Sequence, residues 1–278
     1  MTQQAENPVH FLEVAVEAAE EAGAIIAEAA HRPKNISYKG EVDLVTETDN
    51  KAEAVILARL RHHFPAHAIV AEETGASGAE ASSKYKWYVD PLDGTTNFAH
   101  GYPVFAVSIA LLEDGEPLVG AIYNPVTREM FRALRNEGAY RGDARIHVSN
   151  IEKLSKSLLA TGFPSHKRVQ NPNIHYYWEF TLRSHGVRRA GSAALDLCSV
   201  ACGQFEGFWE FGLKPWDTAA GILLVREAGG AISNFTGGPY RPGDRELLAS
   251  NGLIHAEMQA IAAQVAAQEP ASLAGNPG

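Results

Sequence analysis

Trp87-Tyr88-Val89-Asp90-Pro91-Leu92-Asp93-Gly94-Thr95-Thr96-Asn97 is a short apolar run that ends in two carboxylates, a turn and a cluster of hydroxyl and amide groups. Val89 and its aromatic neighbours suit a strand, and Pro91 and Gly94 are expected to stop it and free the backbone for the approach of a ligand. Asp90 and Asp93 then face one point beyond the strand end. Hard oxygen donors of this kind suit Mg²⁺, whose octahedral shell is usually shared among carboxylates, waters and phosphate oxygens. If Gly94 and Thr95 open a helix, their N–H groups add fixed donors for a phosphate. Taken alone, Asp-Pro-Leu-Asp-Gly reads equally as a surface turn, because Asp, Pro and Gly each favour turns.

Two further acidic ends weaken that plainer reading. Ala68-Ile69-Val70-Ala71-Glu72-Glu73 looks like a second strand ending in carboxylates, and Lys214-Pro215-Trp216-Asp217 places an acid where a helix begins. Glu72, Asp90, Asp93 and Asp217 are therefore four candidate ligands of one divided metal site.

With 278 residues the chain has room for one large domain or two tightly packed subdomains. Its 24 basic and 33 acidic side chains give a net charge of −9, which argues against broad nucleic-acid binding by phosphate neutralisation. An anionic small substrate is still admissible, since a bound Mg²⁺ reverses the local field. The two cysteines, Cys198 and Cys202, have no zinc spacing and share one helical face, so they read as buried apolar side chains. None of the 11 histidines falls into a metal-ligand pattern. No segment reads as a leader or as long enough to span a bilayer, and a soluble cytoplasmic protein is expected.

Pro8 to His31 is Ala- and Glu-rich, with Leu12, Ala15, Ala19, Ala22 and Ile26 at helical spacing, and predicts a long amphipathic helix. Asp49 is expected to cap a second helix running to about His63, with Glu53 in its early turn. Thr74 to Ser83, rich in Gly, Ala and Ser, predicts a mobile loop. Val104 to Leu112, Pro117 to Tyr123 and Glu129 to Leu134 predict an antiparallel meander. Ser149 to Ser155 is a candidate boundary between an N-terminal α+β subdomain, residues 1–150, and a C-terminal α/β subdomain, residues 151–278. Beyond it, helices are expected over Asn173 to Ser184, Ser192 to Cys202, Trp216 to Ala228 and Ile254 to Ala267, alternating with strands. The last residues, from Pro270, should fray. Periodicity supports only a mixed α/β chain.

Nearly the whole chain resembles the inositol monophosphatase family. The resemblance is carried by Asp43-Leu44-Val45-Thr46-Glu47-Thr48-Asp49, Glu72-Glu73, Asp90 through Asn97, Gly191-Ser192-Ala193-Ala194, and Trp216-Asp217 with the Ala/Gly-rich helix ending Glu227-Ala228-Gly229-Gly230. Haloacid-dehalogenase-type phosphatases also carry an Asp-x-Asp-Gly-Thr motif, whose first Asp is a covalent nucleophile. Here both Pro91 and Leu92 separate the acids, one residue too many, so Asp90 reads as a metal ligand and no phosphoenzyme is expected.

The resemblance implies a layered α/β/α/β/α sandwich and a lithium-sensitive, Mg²⁺-dependent phosphatase acting on a small phosphorylated polyol, with myo-inositol 1-phosphate the leading substrate. Histidinol phosphate, fructose bisphosphate and phosphoadenosine phosphate are the alternatives. By the family's pattern Glu72, Asp90 and the Leu92 carbonyl hold one Mg²⁺, and Asp90, Asp93 and Asp217 hold a second. Asp49, Thr95 and Glu72 are implied as catalytic, with Asp49 and Thr95 the pair that orients the attacking water. Gly94 and Thr95 would meet the phosphate. Gly191, Ser192, Ala193 and Glu210, with Asp93 and Asp217, match polyol-facing positions, although Ser192 reads equally as a helix N-cap and Glu210 as an exposed strand-end acid. Lys39 lies near the metal site only approximately, and Arg188-Arg189 reads as a solvated pair. A homodimer is implied, and some bacterial members are thought to bind the transcription or ribosome-assembly machinery instead.

Overall fold

Val107, Ile109 and Leu111 pack to one side of their strand and Ala106, Ala110 and Leu112 to the other, which is why Ala106 through Leu112 reads as a nearly unbroken apolar run. The strand lies in the middle of a layered stack. A computed structural model describes residues 7–30, 36–38, 44–78, 83–163 and 171–268.

Helix α1 (Pro8–Ala29) is capped by Asn7, whose side chain accepts the Val9 N–H at 3.0 Å. Strands β1 (Ile36–Tyr38) and β2 (Leu44–Thr46) pair as a small antiparallel ribbon that runs straight into α2 (Glu47–His63). Then follow β3 (Ala68–Ala71), β4 (Gly75–Gly78), β5 (Tyr85–Asp93), the short α3 (Thr95–His100), β6 (Ala106–Glu113), β7 (Glu116–Asn124), β8 (Glu129–Leu134), β9 (Gly138–Arg141) and β10 (Ala144–Ile146). Strands β3 to β10 form one sheet in the order β10-β9-β8-β7-β6-β5-β3-β4, and only the β3–β5 pair is parallel.

The second sheet is built from β11 (Leu158–Thr161), β12 (Gly186–Arg188), β13 (Gly207–Phe211), β14 (Ala231–Ser233) and β15 (Glu246–Ser250), in the order β12-β11-β13-β15-β14. Helices α4 (Asn173–Arg183), α5 (Ala193–Ala201), α6 (Pro215–Glu227) and α7 (His255–Gln268) alternate with these strands.

Three apolar cores fix the layer order. One packs α1 and α2 on the first sheet, with Phe11, Ile26, Ile56 and Leu60 against Trp87, Val89 and Ile109. A second seats α5 and α6 between the sheets, joining Ile122 and Phe131 to Leu197, Leu224, Phe208 and Leu247. The third packs Tyr176 and Phe180 of α4 and Ile261 and Val265 of α7 on the far face of the second sheet. The stack is thus α/β/α/β/α, as the resemblance implied.

Several expectations need correction. Pro91 does not stop β5, which runs on to Asp93; the register against β6 shifts between Asp90 and Asp93, and such an irregularity is where a residue lacking an N–H is tolerated in a sheet. Gly75–Gly78 is an edge strand paired with β3, not a loop, because its small residues follow a tight turn and meet the Ala68–Ala71 backbone in register; residues 79–82 lie outside the described residues. Asp49 is the third residue of α2 and not its cap, because the helix already begins at Glu47. Helix α1 ends at Ala29; Ala15, Ala19, Ala22 and Ile26 are buried as expected, but Leu12 is only partly so, and Phe11, Val14 and Ala18 widen the buried face. Cys198 is buried on α5, while Cys202 is half-buried just past its end. Lys39 and the segment from Pro270 lie outside the described residues.

Candidate active site

The parallel pairing of β3 with β5 sets Ala71 beside Val89, so the residues that follow, Glu72 and Asp90, emerge together at the same sheet end. The Glu72 N–H donates to the Val89 carbonyl at 3.1 Å and fixes that alignment. Asp90 is 2 % exposed, and its Oδ1 accepts the Leu92 N–H at 3.0 Å, within the register shift of β5. Gly94 follows with φ +95°, where a Cβ would stand 2.9 Å from the Val104 carbonyl, so only glycine fits both the backbone angle and the space.

Beyond Gly94, the Thr95 hydroxyl lies 3.0 Å from Asp49 Oδ1 and 3.0 Å from the Leu92 carbonyl. It has one proton for two acceptors. Asp93 turns toward the other half of the molecule: its Oδ2 accepts the Ser192 hydroxyl at 2.6 Å and the Ala194 N–H at 2.7 Å. Ser192 caps α5 by accepting the Leu195 N–H at 3.3 Å, so it serves both as the cap and as a donor to Asp93. Asp217 sits in the first turn of α6, where its Oδ2 accepts the Lys214 N–H at 2.7 Å.

These acids crowd one another. Burial first, and then Glu72, Asp93 and Asp217, push Asp90 well above the usual carboxylate range. Burial raises Asp93 to about 6, against the opposing pull of its bonds from Ser192, Ala194 and Ala193. Asp217 is raised by burial and by Asp93. Among the described residues no three His, Cys, Asp or Glu side chains stand in a geometry that already closes on a metal ion. The donor chemistry nevertheless fits a hard cation: the converging groups are carboxylates with the Leu92 carbonyl beside them, each of Asp90, Asp93 and Asp217 spends one named oxygen on protein donors, and like charges so packed gain most from a counter-ion.

The exposed-acid reading of Glu210 is wrong. It lies on β13, 9 % exposed, against Gly162, where any Cβ would collide with its carboxylate. Burial, then Asp196, Asp217 and Asp93, raise its pKa, and Arg189 opposes the rise. Arg189 is thus an exposed residue whose charge reaches the buried Glu210.

Three polar residues near the site were given no role there from sequence. Asp196 is 2 % exposed on α5 and feels Asp93 and Arg189; a lone acid inside Ala-Ala-Leu-Asp-Leu-Cys is the signal that marks it. Asn97 donates its amide to the Val104 carbonyl at 2.7 Å and the Ala190 carbonyl at 2.8 Å, tying the turn after β5 to the loop before α5. Glu53 is 1 % exposed, on the same stripe of α2 as Ile56 and Leu60.

Residues 7–269 match the model of the inositol monophosphatase family. The chain belongs to the inositol monophosphatase family. It is 48% identical over 258 residues to the inositol-1-monophosphatase of Synechocystis sp., covering 91% of this chain and 89% of the relative. It is 45% identical over 233 residues to the Nus factor SuhB of Pseudomonas aeruginosa, covering 82% and 86%. Among solved structures, inositol monophosphatase from Anabaena (Nostoc) superposes with a TM-score of 0.83 at 44% identity, over 91% of this chain and 95% of that one. No helix among the described residues of this family member is long and apolar enough to cross a membrane.

Proposed function

We propose that the protein is a Mg²⁺-dependent phosphatase that hydrolyses small phosphate monoesters, myo-inositol 1-phosphate first among them, by direct attack of water on phosphorus. The observation that carries this reading is the convergence of Glu72, Asp90, Asp93 and Asp217 from the ends of β3 and β5 and the first turn of α6. Glu72, Asp90 and the Leu92 carbonyl would hold one ion, and Asp90, Asp93 and Asp217 a second. Bound Mg²⁺ supplies an acidified water and charge balance for the phosphate and leaving oxygens.

The chain's own groups do the rest. Asp49 draws the Thr95 hydroxyl proton toward itself, leaving the Thr95 oxygen as acceptor for a proton of the attacking water. Glu72 would serve as a further acceptor. The Gly94 and Thr95 N–H groups, at the start of α3 where no earlier turn can use them, hold phosphate oxygens. Gly191, Ser192, Ala193 and Glu210, with Asp93 and Asp217, orient the polyol hydroxyls. Residues 1–150 then supply most of the phosphate side and residues 151–278 the polyol side. The same reading carries a cytoplasmic homodimer, tested by light scattering, and inhibition by lithium, tested at competing Mg²⁺ concentrations.

A panel of inositol 1-phosphate, histidinol phosphate, fructose bisphosphate and phosphoadenosine phosphate, compared by kcat/KM in Mg²⁺, tests the substrate. A strong preference for any of the last three overturns the inositol assignment. The likeness to a relative named Nus factor SuhB supports a second reading, a binding role with the transcription machinery. Asp93→Asn separates the two, since binding survives the loss of hydrolysis if the fold is kept.

A further inference from the structure

Glu53 is a buried carboxylate with a task that helix α2 does not require. It sits in the second turn of that helix, yet its side chain leaves the helix and reaches the chain just past β3. Its Oε2 accepts the Glu73 N–H at 2.9 Å and its Oε1 the Thr74 N–H at 3.0 Å, across 20 and 21 residues of sequence. Both oxygens are thereby spent on the two peptide groups that immediately follow Glu72. On the other side, the Glu72 N–H is fixed to the Val89 carbonyl. Glu72 therefore lies between two clamps, one from β5 and one from α2.

A solvated turn would satisfy those two N–H groups with water. Burying a carboxylate as deeply as Glu53 is costly unless its bonds are complete, and bonds to a carboxylate fix a backbone more stiffly than those to a neutral side chain do. We infer that Glu53 is a positioning residue that holds the Glu72 carboxylate in place for the cation, through the backbone of Glu73 and Thr74. The inference rests on the metal-site reading above. Glu53 touches neither substrate nor ion; it sets where Glu72 stands.

The test is the Mg²⁺-induced rise in Tm of the full-length protein, alongside the Mg²⁺ concentration that half-saturates phosphatase activity. Glu53→Gln keeps the shape but turns one oxygen into an N–H facing an N–H. Groups that orient metal ligands typically contribute about ten- to a hundredfold in metal affinity, so Glu53→Gln should need at least roughly tenfold more Mg²⁺ in both measurements, with kcat at saturating Mg²⁺ within about threefold of the original. Leu60→Ala, in the same helix and fully buried, lowers Tm without moving the Mg²⁺ dependence. If Glu53→Gln does not yield folded protein, Glu53→Asp, too short to span both N–H groups, carries the same expectation. An unchanged Mg²⁺ dependence in the Glu53 variant, or an equal shift in Leu60→Ala, overturns the inference alone. No response of the original protein to Mg²⁺ in either measurement overturns the metal-site reading and this inference with it.

Discussion

The Thr95 hydroxyl meets the Asp49 carboxylate at 3.0 Å, joining a turn after β5 to the first turn of α2 across 46 residues of sequence. If the two side chains serve as one proton path, as proposed, their removal should not be additive. Thr95→Ala and Asp49→Asn are each expected to lower kcat by about 10²- to 10⁴-fold, with the double variant little worse than either single one. Steady-state kinetics of the four proteins checks this. Independent, multiplying losses would separate Thr95 from Asp49.

Glu210, buried against Gly162, is the carboxylate proposed to meet the polyol hydroxyls. Glu210→Gln is expected to raise KM for inositol 1-phosphate about tenfold or more, a loss of the order of one charged hydrogen bond, while hydrolysis of p-nitrophenyl phosphate, which has no hydroxyls to bind, changes little. Parallel kinetics on the two substrates decides it. Equal losses on both would place Glu210 outside substrate recognition.

If the raised carboxylates hold Mg²⁺, as proposed, its binding is linked to pH. A carboxyl whose pKa is raised by folding, such as Asp93 at about 6, favours the metal-free fold at low pH, and that contribution disappears as pH rises through the folded value. Cations replace those protons. The gain in Tm on adding Mg²⁺ should therefore grow between pH 5 and 7.5 by thermal denaturation, the comparison at each pH cancelling groups remote from the site. A gain independent of pH contradicts the linkage.

His67 titrates in the opposite sense. It is buried between Phe64 and Tyr85, accepts the Trp87 indole N–H at 3.1 Å, and burial lowers its pKa to about 4. The unfolded chain takes up a proton near pH 6.5 that the fold refuses, so the stability this neutral ring contributes is lost as pH falls from about 6.5 toward 4. His67→Phe strands the Trp87 N–H and should cost about 1–3 kcal/mol near pH 7.5. In denaturant titrations that deficit should shrink at pH 5; a deficit constant across this range would show that His67 is not held neutral.

The helices after residue 170 and the meander of β6 to β8 were legible because their apolar periods and turn residues agree with the final packing. What misled was punctuation. Pro91 reads as a stop, but the register shift it occupies lets β5 carry Asp90 and Asp93 on one strand. The Gly/Ser-rich Gly75–Gly78 reads as a loop because edge pairing to β3 leaves no trace in local composition. Acidic strand ends pointed to Glu72, Asp90 and Asp93 without a structure. The task of Glu53 was missed because its partners are 20 and 21 residues away, and Asp196 was missed altogether, although an acid on a buried helical stripe was visible in each case. The layer order followed from resemblance, since periodicity does not say which face of a sheet a helix covers.

Phosphate release from myo-inositol 1-phosphate by the original protein and by Asp90→Asn, each with Mg²⁺ and with a chelator, tests most directly whether these acids serve a cation. Release by the original protein in Mg²⁺ alone, with a loss of at least about 10³-fold in a folded Asp90→Asn, is predicted. Equal release in chelator, or an Asp90→Asn protein that keeps its rate, would contradict the account.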